Sequence, residues 1–247
     1  MRPSAERMDL RLTMIVAIDG PAASGKSTVA RAVAQALNLI FLDTGAMYRA
    51  LTAAVLERGL DPGDAEACAR TAEELDLTFD AQGRILVDGR ADEARIRGAS
   101  VTAAVSEVAA HPAVRRAIVP LQRNLAAAAP GVVAEGRDTT TVVFPDADHK
   151  FFLTASSSER ARRRALEEGC PEAQETLRLE IERRDALDST RADSPLVQAP
   201  DALAIDTDGR SAVAVAEELL AHMAGGPGSR TGSAAAHGKQ DNSGADA

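Results

Sequence analysis

The chain has 247 residues, of which 45% are hydrophobic and 26% are charged, and its formal net charge is −9 at pH 7. This length can bury a hydrophobic core, and the acidic balance argues against general nucleic-acid binding, for which an excess of basic residues is expected. Two cysteines without ligand spacing, no apolar run of membrane-spanning length and an N-terminus without an apolar signal core predict a globular, cytoplasmic protein without a membrane contact.

The first part of the chain alternates between strands and helices. MIVAIDG predicts a buried strand, KSTVARAVAQALN a helix, LIFLD a second strand and GAMYRALTAAVLERG a second helix. This order is typical of a parallel sheet covered by helices, so we expect an α/β fold. Residues 63–104 change character, because LDLTFDAQGRILVDG alternates like a hairpin, with turns at Ala81–Gly83 and Asp88–Gly89. We interpret this part as an insertion.

The second part of the chain resumes the α/β pattern. A helix is expected to start near Pro112, with a kink at Pro120, and GVVAEGRD and HKFFLTAS predict two central strands. Residues 156–192 are densely charged and predicted to be helical. DALAIDTDG predicts a last strand and SAVAVAEELLAHMA a closing helix. We expect residues 1–13 to be a flexible extension and the Gly- and Ser-rich residues 225–247 to be a disordered tail.

The early stretch IDGPAASGKST contains the pattern G-x-x-x-x-G-K-[ST], which binds the phosphates of ATP or GTP. A predicted strand precedes it and a predicted helix follows, as the mechanism requires, since loop N–H groups and the helix dipole together bind the β-phosphate. Lys26 is expected to neutralise the β- and γ-phosphates, and the Ser27 hydroxyl to hold Mg²⁺. The predicted nucleotide-binding residues of this loop are Gly20, Pro21, Ala22, Ala23, Ser24, Gly25, Lys26, Ser27 and Thr28.

A phosphate loop alone does not decide the function, because switches, motors and kinases share it. The chain has no Asn-Lys pair and therefore no guanine-reading N-K-x-D, and its nearest candidate for the acidic strand of motor ATPases, GVVAEGRD, ends differently. The small size and the insertion favour a small-molecule kinase. The alternatives are a phosphate-loop kinase acting on UMP, shikimate or a coenzyme precursor, and a nucleotide-binding regulatory protein without transfer activity.

Three further motifs make the interpretation specific. They are LDTGAMYR at residues 42–49, AEGRDTTTVVFPDA at 134–147 and ERRDALDSTRADSPL at 182–196. Together with the phosphate loop, they resemble the bacterial cytidylate kinases in order and spacing, from about Met14 to Ala224.

The resemblance implies a P-loop NTPase fold with a parallel sheet core, formed by residues 14–62 and 105–224. It also implies an inserted nucleoside-monophosphate-binding domain at residues 63–104 and a helical lid at about residues 156–192. The implied activity is transfer of the γ-phosphate of ATP to CMP or dCMP with Mg²⁺, by an enzyme that is a cytoplasmic monomer and binds no nucleic acid.

The resemblance also implies roles for individual residues. Arg49 would pair with the phosphate of CMP, and Asp138 would accept a hydrogen bond from the cytosine amino group, a donor that a carboxylate matches. The implied CMP-binding residues are Thr44, Arg49, Ser106, Arg115, Arg137, Asp138, Arg184 and Asp188. The implied catalytic residues are Lys26, Arg137, Arg184 and Arg191. Arg160 and Arg164 would reach ATP from the lid, although a solvated, arginine-rich helix face is the alternative.

The spacing of Arg184, Asp188 and Arg191 at i, i+4 and i+7 places them on one face of a predicted helix. In structural terms this is an Arg–Asp–Arg salt-bridge ladder, whereas the family resemblance implies contacts with the acceptor nucleotide and the phosphates. Asp43 also has two interpretations, since it could orient a water bound to Mg²⁺ or cap the helix that follows it.

The chain departs from the family pattern at Thr140. The family usually has D-[IM]-G-T-V-V after G-R, and this chain has Asp138, Thr139, Thr140 and Thr141 at the corresponding positions. If the glycine has a positive φ, a β-branched residue is strained there. We therefore expect slightly altered monophosphate affinity rather than a loss of activity.

Overall fold

The computed structural model describes residues 14–80 and 82–225. Five parallel strands form the central sheet, in the order β2-β5-β1-β6-β7. They are β1 (Met14–Asp19), β2 (Ile40–Asp43), β5 (Gly131–Gly136), β6 (His149–Thr154) and β7 (Leu203–Asp206), while β3 (Leu77–Phe79) and β4 (Ile85–Val87) form a separate antiparallel hairpin. The predicted N-terminal extension, the tail after residue 225 and residue 81 of the predicted hairpin turn lie outside the described residues.

The pairing of the strands brings polar residues to one edge of the sheet. In β1, Ile18 is opposite Glu135 and Asp19 opposite Gly136 of β5, and Asp43 at the end of β2 also pairs with Glu135. Because parallel strands end at the same edge, the carboxylates of Asp19, Asp43 and Glu135 all lie at that edge, each after an apolar segment of its strand. The functional site is built at this carboxyl edge.

The helices begin where the sequence offers caps. Asp64 caps its helix by accepting hydrogen bonds from Glu66 and Ala67, and Pro112 occupies the first turn of another helix, where a missing N–H costs nothing. The helices are α1 (Lys26–Leu37), α2 (Thr44–Glu57), α3 (Ala65–Glu74), α4 (Glu93–Ile96), α5 (Ala99–Ala110), α6 (Pro112–Ala127), α7 (Ser157–Glu167), α8 (Gln174–Thr190) and α9 (Ala212–Ala224).

Helices cover both faces of the sheet. On one face, Val29 and Val33 of α1 and Leu219 of α9 pack against β1, β6 and β7. On the other face, Val119 and Ala126 of α6 pack against β2 and β5. The predicted α/β fold of the P-loop NTPase type is confirmed, with the phosphate loop between β1 and α1.

The predicted insertion at residues 63–104 shares a hydrophobic core with its surroundings. Cys68, Leu77 and Ile96 pack in one cluster with Leu51 of α2 and Ile118 of α6. The predicted boundary between residues 104 and 105 falls within α5. The division into a core and an inserted domain therefore stays a prediction.

The charged residues 156–192 form a helical hairpin of α7 and α8, joined by a 3-10 turn at Pro171–Ala173, as predicted. Within the described part of the chain, no helix combines the length and the apolarity needed to cross a membrane.

Candidate active site

The phosphate loop connects β1 to α1 at the carboxyl edge of the sheet. Gly20 has a φ of +152°, and a Cβ atom there would lie 2.1 Å from the carbonyl oxygen of Leu153, so the position requires glycine. Gly25, directly before α1, has a φ of +86° and carries no side chain that could cap the helix. The first N–H groups of α1 are therefore open to an anion, as the motif predicts.

Lys26 lies buried within this loop. Its Nζ donates a hydrogen bond to the carbonyl oxygen of Pro21 at 2.7 Å and lies 3.5 Å from Oγ of Ser24. Burial lowers the pKa of Lys26, and the positive charge of Arg137 lowers it further. A bound phosphate would favour the charged form again, so this ammonium group gains from an anion in the loop.

Glu135 lies next to the loop, although the sequence motifs did not identify it. The Ser27 hydroxyl donates a hydrogen bond to Oε1 of Glu135 at 2.7 Å. Burial raises the pKa of Glu135, and the nearby charge of Asp43 raises it further. Asp43 accepts a hydrogen bond from the N–H of Ala46 at 2.9 Å, which confirms that it caps α2. The position of Glu135 at the end of a central strand was the signal that could have found it.

Arg49 and Arg184 are half-buried arginines that form no ion pair with a carboxylate among the described residues. Arg49 donates to Oγ1 of Thr102 at 3.0 Å, and the buried Nε of Arg184 has no hydrogen-bond partner in the described part of the chain. Burial and the charge of Arg184 lower the pKa of Arg49 to about 9. Burial and the charge of Arg137 lower the pKa of Arg184 to about 10. Two partly desolvated like charges that no carboxylate of the described residues neutralises indicate a site for an anionic ligand.

Asp138 lies at the bottom of a pocket between two arginines. Arg115 donates a short hydrogen bond to one carboxylate oxygen, and Arg191 donates to the other at 3.3 Å. Burial raises the pKa of Asp138 to about 6, against the lowering effect of both arginines. The hydroxyls of Ser106 and Tyr48 are buried at the same pocket and have no hydrogen-bond partner among residues 14–80 and 82–225. The pocket thus offers an acceptor and two unsatisfied hydroxyls to a polar ligand.

The predicted salt-bridge ladder on α8 does not form. Asp188 accepts a hydrogen bond at 3.0 Å from Nε of Arg137, the residue that directly follows β5. Helix α8 ends at Thr190, and Arg191 has an extended backbone with φ −60° and ψ +141°. The prediction that Arg191 continues the helix face was wrong, because the end of the helix turns its side chain towards Asp138.

The two arginines predicted to reach ATP from α7 differ in environment. Arg160 donates to the carbonyl oxygen of Ala22 at 3.1 Å and forms a short ion pair with Asp185, which in turn accepts from the N–H of Ala22 at 3.2 Å. Arg160 thus braces the loop, and its contact with ATP stays a prediction. Arg164 lines the cleft and forms an ion pair with Glu168 at 2.5 Å.

Arg163 and Thr207 complete the side of the cleft next to the loop, and the sequence interpretation missed both. Arg163 donates to the carbonyl oxygen of Thr207 at 2.5 Å and to its hydroxyl at 3.1 Å. The Thr207 hydroxyl donates a hydrogen bond to the carbonyl oxygen of Ser24 at 3.1 Å. The only signal was that Thr207 directly follows the last strand at the carboxyl edge.

Thr140 is not strained. It lies in a π-helical turn, Thr139–Val143, and is not among the residues with a positive φ. Its hydroxyl donates to a carboxylate oxygen of Asp19 at 2.6 Å. The predicted strain was wrong, because the backbone of the turn places this residue in a region that a β-branched side chain tolerates. Thr44 has a comparable local contact, since its hydroxyl donates to the carbonyl oxygen of Glu135 at 2.7 Å.

A single cleft of about 1040 Å³ joins the phosphate loop to the pocket of Asp138. Although the chain is acidic, arginine and lysine outnumber aspartate and glutamate along its walls. The predicted site residues that line it are Ala22, Ala23, Ser24, Gly25, Lys26, Ser27, Thr28, Thr44, Arg49, Ser106, Arg115, Arg137, Asp138, Arg164, Arg184, Asp188 and Arg191. Gly20, Pro21 and Arg160 are not among the residues that line it.

Known proteins are similar to this chain in sequence. A protein named cytidylate kinase from Mycobacterium avium (strain 104) is 47% identical over 212 residues, which cover 83% of this chain and 93% of that protein. A bifunctional pantoate ligase/cytidylate kinase from Synechococcus sp. (strain CC9902) is 49% identical over 215 residues, and the match covers 83% of this chain. It covers only 44% of that protein, so this chain spans less than half the length of the bifunctional relative.

Among solved structures, TT1252 from Thermus thermophilus matches 86% of this chain and 97% of its own, with 22% identity and a TM-score of 0.44, a similarity too distant to add to the assignment. The family model described as cytidylate kinase matches residues 16–224, which include the phosphate loop, the acceptor-side motifs and the helical hairpin. The chain therefore belongs to the cytidylate kinase family.

Proposed function

We propose that this protein transfers the γ-phosphate of ATP to CMP or dCMP, giving ADP and CDP or dCDP. The observation that carries the proposal is the pair of half-buried arginines, Arg49 and Arg184, which have no carboxylate partner among the described residues and face the same cleft as the phosphate loop. A pure nucleotide-binding protein needs one phosphate site, whereas a monophosphate kinase needs a second anion site facing the first. The names of the relatives agree with this assignment.

The acceptor binds with its phosphate against Arg49 and Arg184. Its base enters the pocket of Asp138, where the carboxylate accepts a hydrogen bond from the exocyclic amino group of cytosine. Ser106, whose buried hydroxyl lacks a hydrogen-bond partner in the described structure, and Arg115, which donates to Asp138, complete the contacts with the base edge. Uracil presents a carbonyl in place of the amino group, so an ionised Asp138 disfavours UMP.

The donor binds with its phosphates in the loop, where Lys26 neutralises the β- and γ-phosphates. The residues beside Lys26 fit a magnesium ion, because Ser27 and Glu135 place a hydroxyl and a carboxylate together at the end of β5. Within the described residues, no cluster of three or more His, Cys, Asp and Glu side chains could hold a metal. This agrees with a Mg²⁺ bound partly by the phosphates, where it would neutralise charge on their oxygens.

The chemistry needs positioning and positive charge rather than a general base. The attacking group is a phosphate oxygen of the acceptor, which is already ionised at neutral pH. The transferred group passes through a loose, highly charged transition state, and Lys26, Arg137, Arg184 and Arg191 converge on the cleft where this charge develops. Closure of the α7–α8 hairpin would exclude water and so prevent wasteful hydrolysis of ATP.

The organisation of the molecule follows from this activity. We propose that residues 14–62 and 105–224 act as the catalytic core, that residues 63–104 close over the monophosphate and that residues 156–192 act as the lid. We also propose that the enzyme is a cytoplasmic monomer that binds no nucleic acid, as its net negative charge favours.

A panel of acceptors tests the proposed function. Purified protein is incubated with Mg-ATP and CMP, dCMP, UMP, AMP or GMP, and the formation of ADP is followed. We expect strong turnover with CMP and dCMP and little with the others. Turnover with a different acceptor would keep the kinase assignment and contradict the role of Asp138. ADP formation without any acceptor would favour the alternative of a nucleotide-binding protein that has lost transfer.

A further inference from the structure

Asp19, the last residue of β1, is a fully buried carboxylate to which the sequence interpretation assigned no role. Among the described residues it accepts four hydrogen bonds, all from two consecutive threonines. The N–H and hydroxyl of Thr139 donate to one oxygen at 2.9 and 2.7 Å. The N–H and hydroxyl of Thr140 donate to the other at 2.7 and 2.6 Å. Because a buried carboxylate is costly unless it is hydrogen-bonded, these four donors hold β1 firmly to the segment after β5.

The same segment carries Asp138. This residue precedes the π-helical turn Thr139–Val143, and its carbonyl oxygen accepts from the N–H groups of Val142 and Val143. An aspartate at such a position commonly accepts a hydrogen bond from the N–H of the second or third residue of the turn, here Thr140 or Thr141. The Asp138 side chain makes no such bond among the described residues, and the carboxylate of Asp19 binds the N–H groups of Thr139 and Thr140 instead.

The consequence concerns the direction of the Asp138 side chain. Since Asp19 caps the turn, the Asp138 carboxylate is directed to Arg115 and Arg191 at the acceptor pocket. We propose that Asp19, together with the Thr139 and Thr140 hydroxyls, acts as a positioning group that orients Asp138 for the acceptor base. This inference rests on the proposed function for the identity of the acceptor.

Thr140 gives this chain a contact that its family pattern does not provide. A glycine at this position keeps the N–H but has no hydroxyl, so it would leave one of the four hydrogen bonds of Asp19 unmade. The hydroxyl therefore strengthens the anchor, rather than straining the segment. If the hydroxyl anchors the segment, replacement of Thr140 should weaken acceptor binding. If Thr140 strained the segment, its replacement would relieve the strain and improve acceptor binding.

Three variants test the proposal. Thr140→Val keeps the shape of the side chain and removes the hydroxyl, Thr140→Ser keeps the hydroxyl, and Thr71→Val removes the hydroxyl of a threonine that is equally buried in α3, away from the cleft. We expect Thr140→Val to raise the KM for CMP about threefold to tenfold while kcat and the KM for ATP change less than about twofold. Thr140→Ser should restore the KM, and Thr71→Val should leave it unchanged.

A second measurement does not depend on the identity of the acceptor. Hydrogen exchange of the ligand-free protein reports whether the turn is anchored, through the N–H groups of Val142 and Val143. We expect faster exchange in the peptide that contains these residues in Thr140→Val, and wild-type exchange there in Thr71→Val. If wild-type protein does not use CMP, the KM comparison is made with the acceptor that it does use, so that failure of the proposed function remains distinct from failure of this inference.

Several results would overturn the positioning role of Asp19. One is an unchanged acceptor KM in Thr140→Val, whether or not exchange in the turn is faster. Another is an equal rise of the KM for acceptor and ATP, which would indicate a general loss of structure. Unchanged exchange in the turn would also contradict the proposal, because the hydroxyl would then not anchor it.

Discussion

The two ends of the cleft bind anions in different ways. At the donor end, one continuous stretch provides both the backbone N–H groups and Lys26, and the ammonium group already has a hydrogen-bond partner in Pro21. At the acceptor end, side chains from α2, α5, α6, α8 and the end of β5 meet, and Arg49 and Arg184 lack a carboxylate partner among the described residues. The donor end is thus built mainly from one continuous stretch of the chain, whereas the acceptor end is built from side chains that meet only when distant elements pack together.

This difference has an energetic side. Partly desolvated cations without counterions cost stability, as is common at sites that are arranged to bind a ligand. At the acceptor end, burial lowers the pKa of Arg49 and the charge of Arg184 lowers it further, which reflects this cost. We therefore expect substitutions of these arginines to lower activity while they raise stability.

The largest effect is expected from Lys26→Ala at the donor end. Removal of the ammonium group should lower kcat by about 10²- to 10³-fold, because charge stabilisation in a water-excluded site is a large part of phosphoryl-transfer catalysis. Steady-state kinetics would measure the loss. The KM for CMP should change little if the two ends are independent. A comparable change in CMP and ATP binding would contradict this independence.

Lys150→Ala is the matched control for this substitution. Lys150 lies in β6 and pairs with Asp201 at 2.7 Å, outside the cleft. Its removal should leave kcat and both KM values at the wild-type level.

A smaller effect is expected from Arg184→Met at the acceptor end. Loss of the guanidinium should lower kcat/KM for CMP roughly 10- to 100-fold, since hydrogen bonds to a charged group are lost. At the same time Tm should rise, by about 2–4 °C for each kcal/mol gained, because an unpaired, partly desolvated charge is removed. Kinetics and thermal unfolding of the same preparation would measure both quantities.

Arg178→Met on the same helix is the control for that variant. Arg178 is paired with Glu175 and Glu182 and does not line the cleft. It should leave kcat/KM unchanged and Tm nearly so. A fall in Tm for Arg184→Met would contradict the interpretation that its charge is uncompensated without ligand.

The smallest effect is expected from pH at the base pocket. Because the pKa of Asp138 is raised to about 6, its carboxylate becomes protonated as the pH falls through this value and can no longer accept from the cytosine amino group. For a single group with this pKa, kcat/KM for CMP should fall about twofold from pH 7 to pH 6 and more steeply below. A pH profile of kcat/KM measures the change.

Asp138→Asn separates this ionisation from that of the substrate. The phosphate of CMP itself has a second pKa of about 6, so it contributes to both profiles. The variant should keep that contribution and lose the part due to Asp138. Profiles of the same shape for both proteins would show that Asp138 does not titrate in this range.

The sequence predicted much of the donor end and less of the acceptor end. The loop from Gly20 to Ser27 and the start of α1 at Lys26 follow from neighbouring residues, so a local pattern is enough to identify them. For the acceptor side, the family resemblance named the residues that line the pocket. It did not reveal that Arg191 leaves the helix and pairs with Asp138, since a spacing pattern does not show where a helix ends.

By itself, the sequence determined the alternation of strands and helices, the phosphate loop and the identity of the family, because these depend on short-range periodicity and contiguous motifs. Only the tertiary structure decided which charged groups are paired. Asp19 meets Thr139 and Thr140 across more than a hundred residues of chain, and Ser27 meets Glu135 in the same way. Such contacts arise when parallel strands bring their ends to one edge of a sheet, and no local pattern along the chain records them.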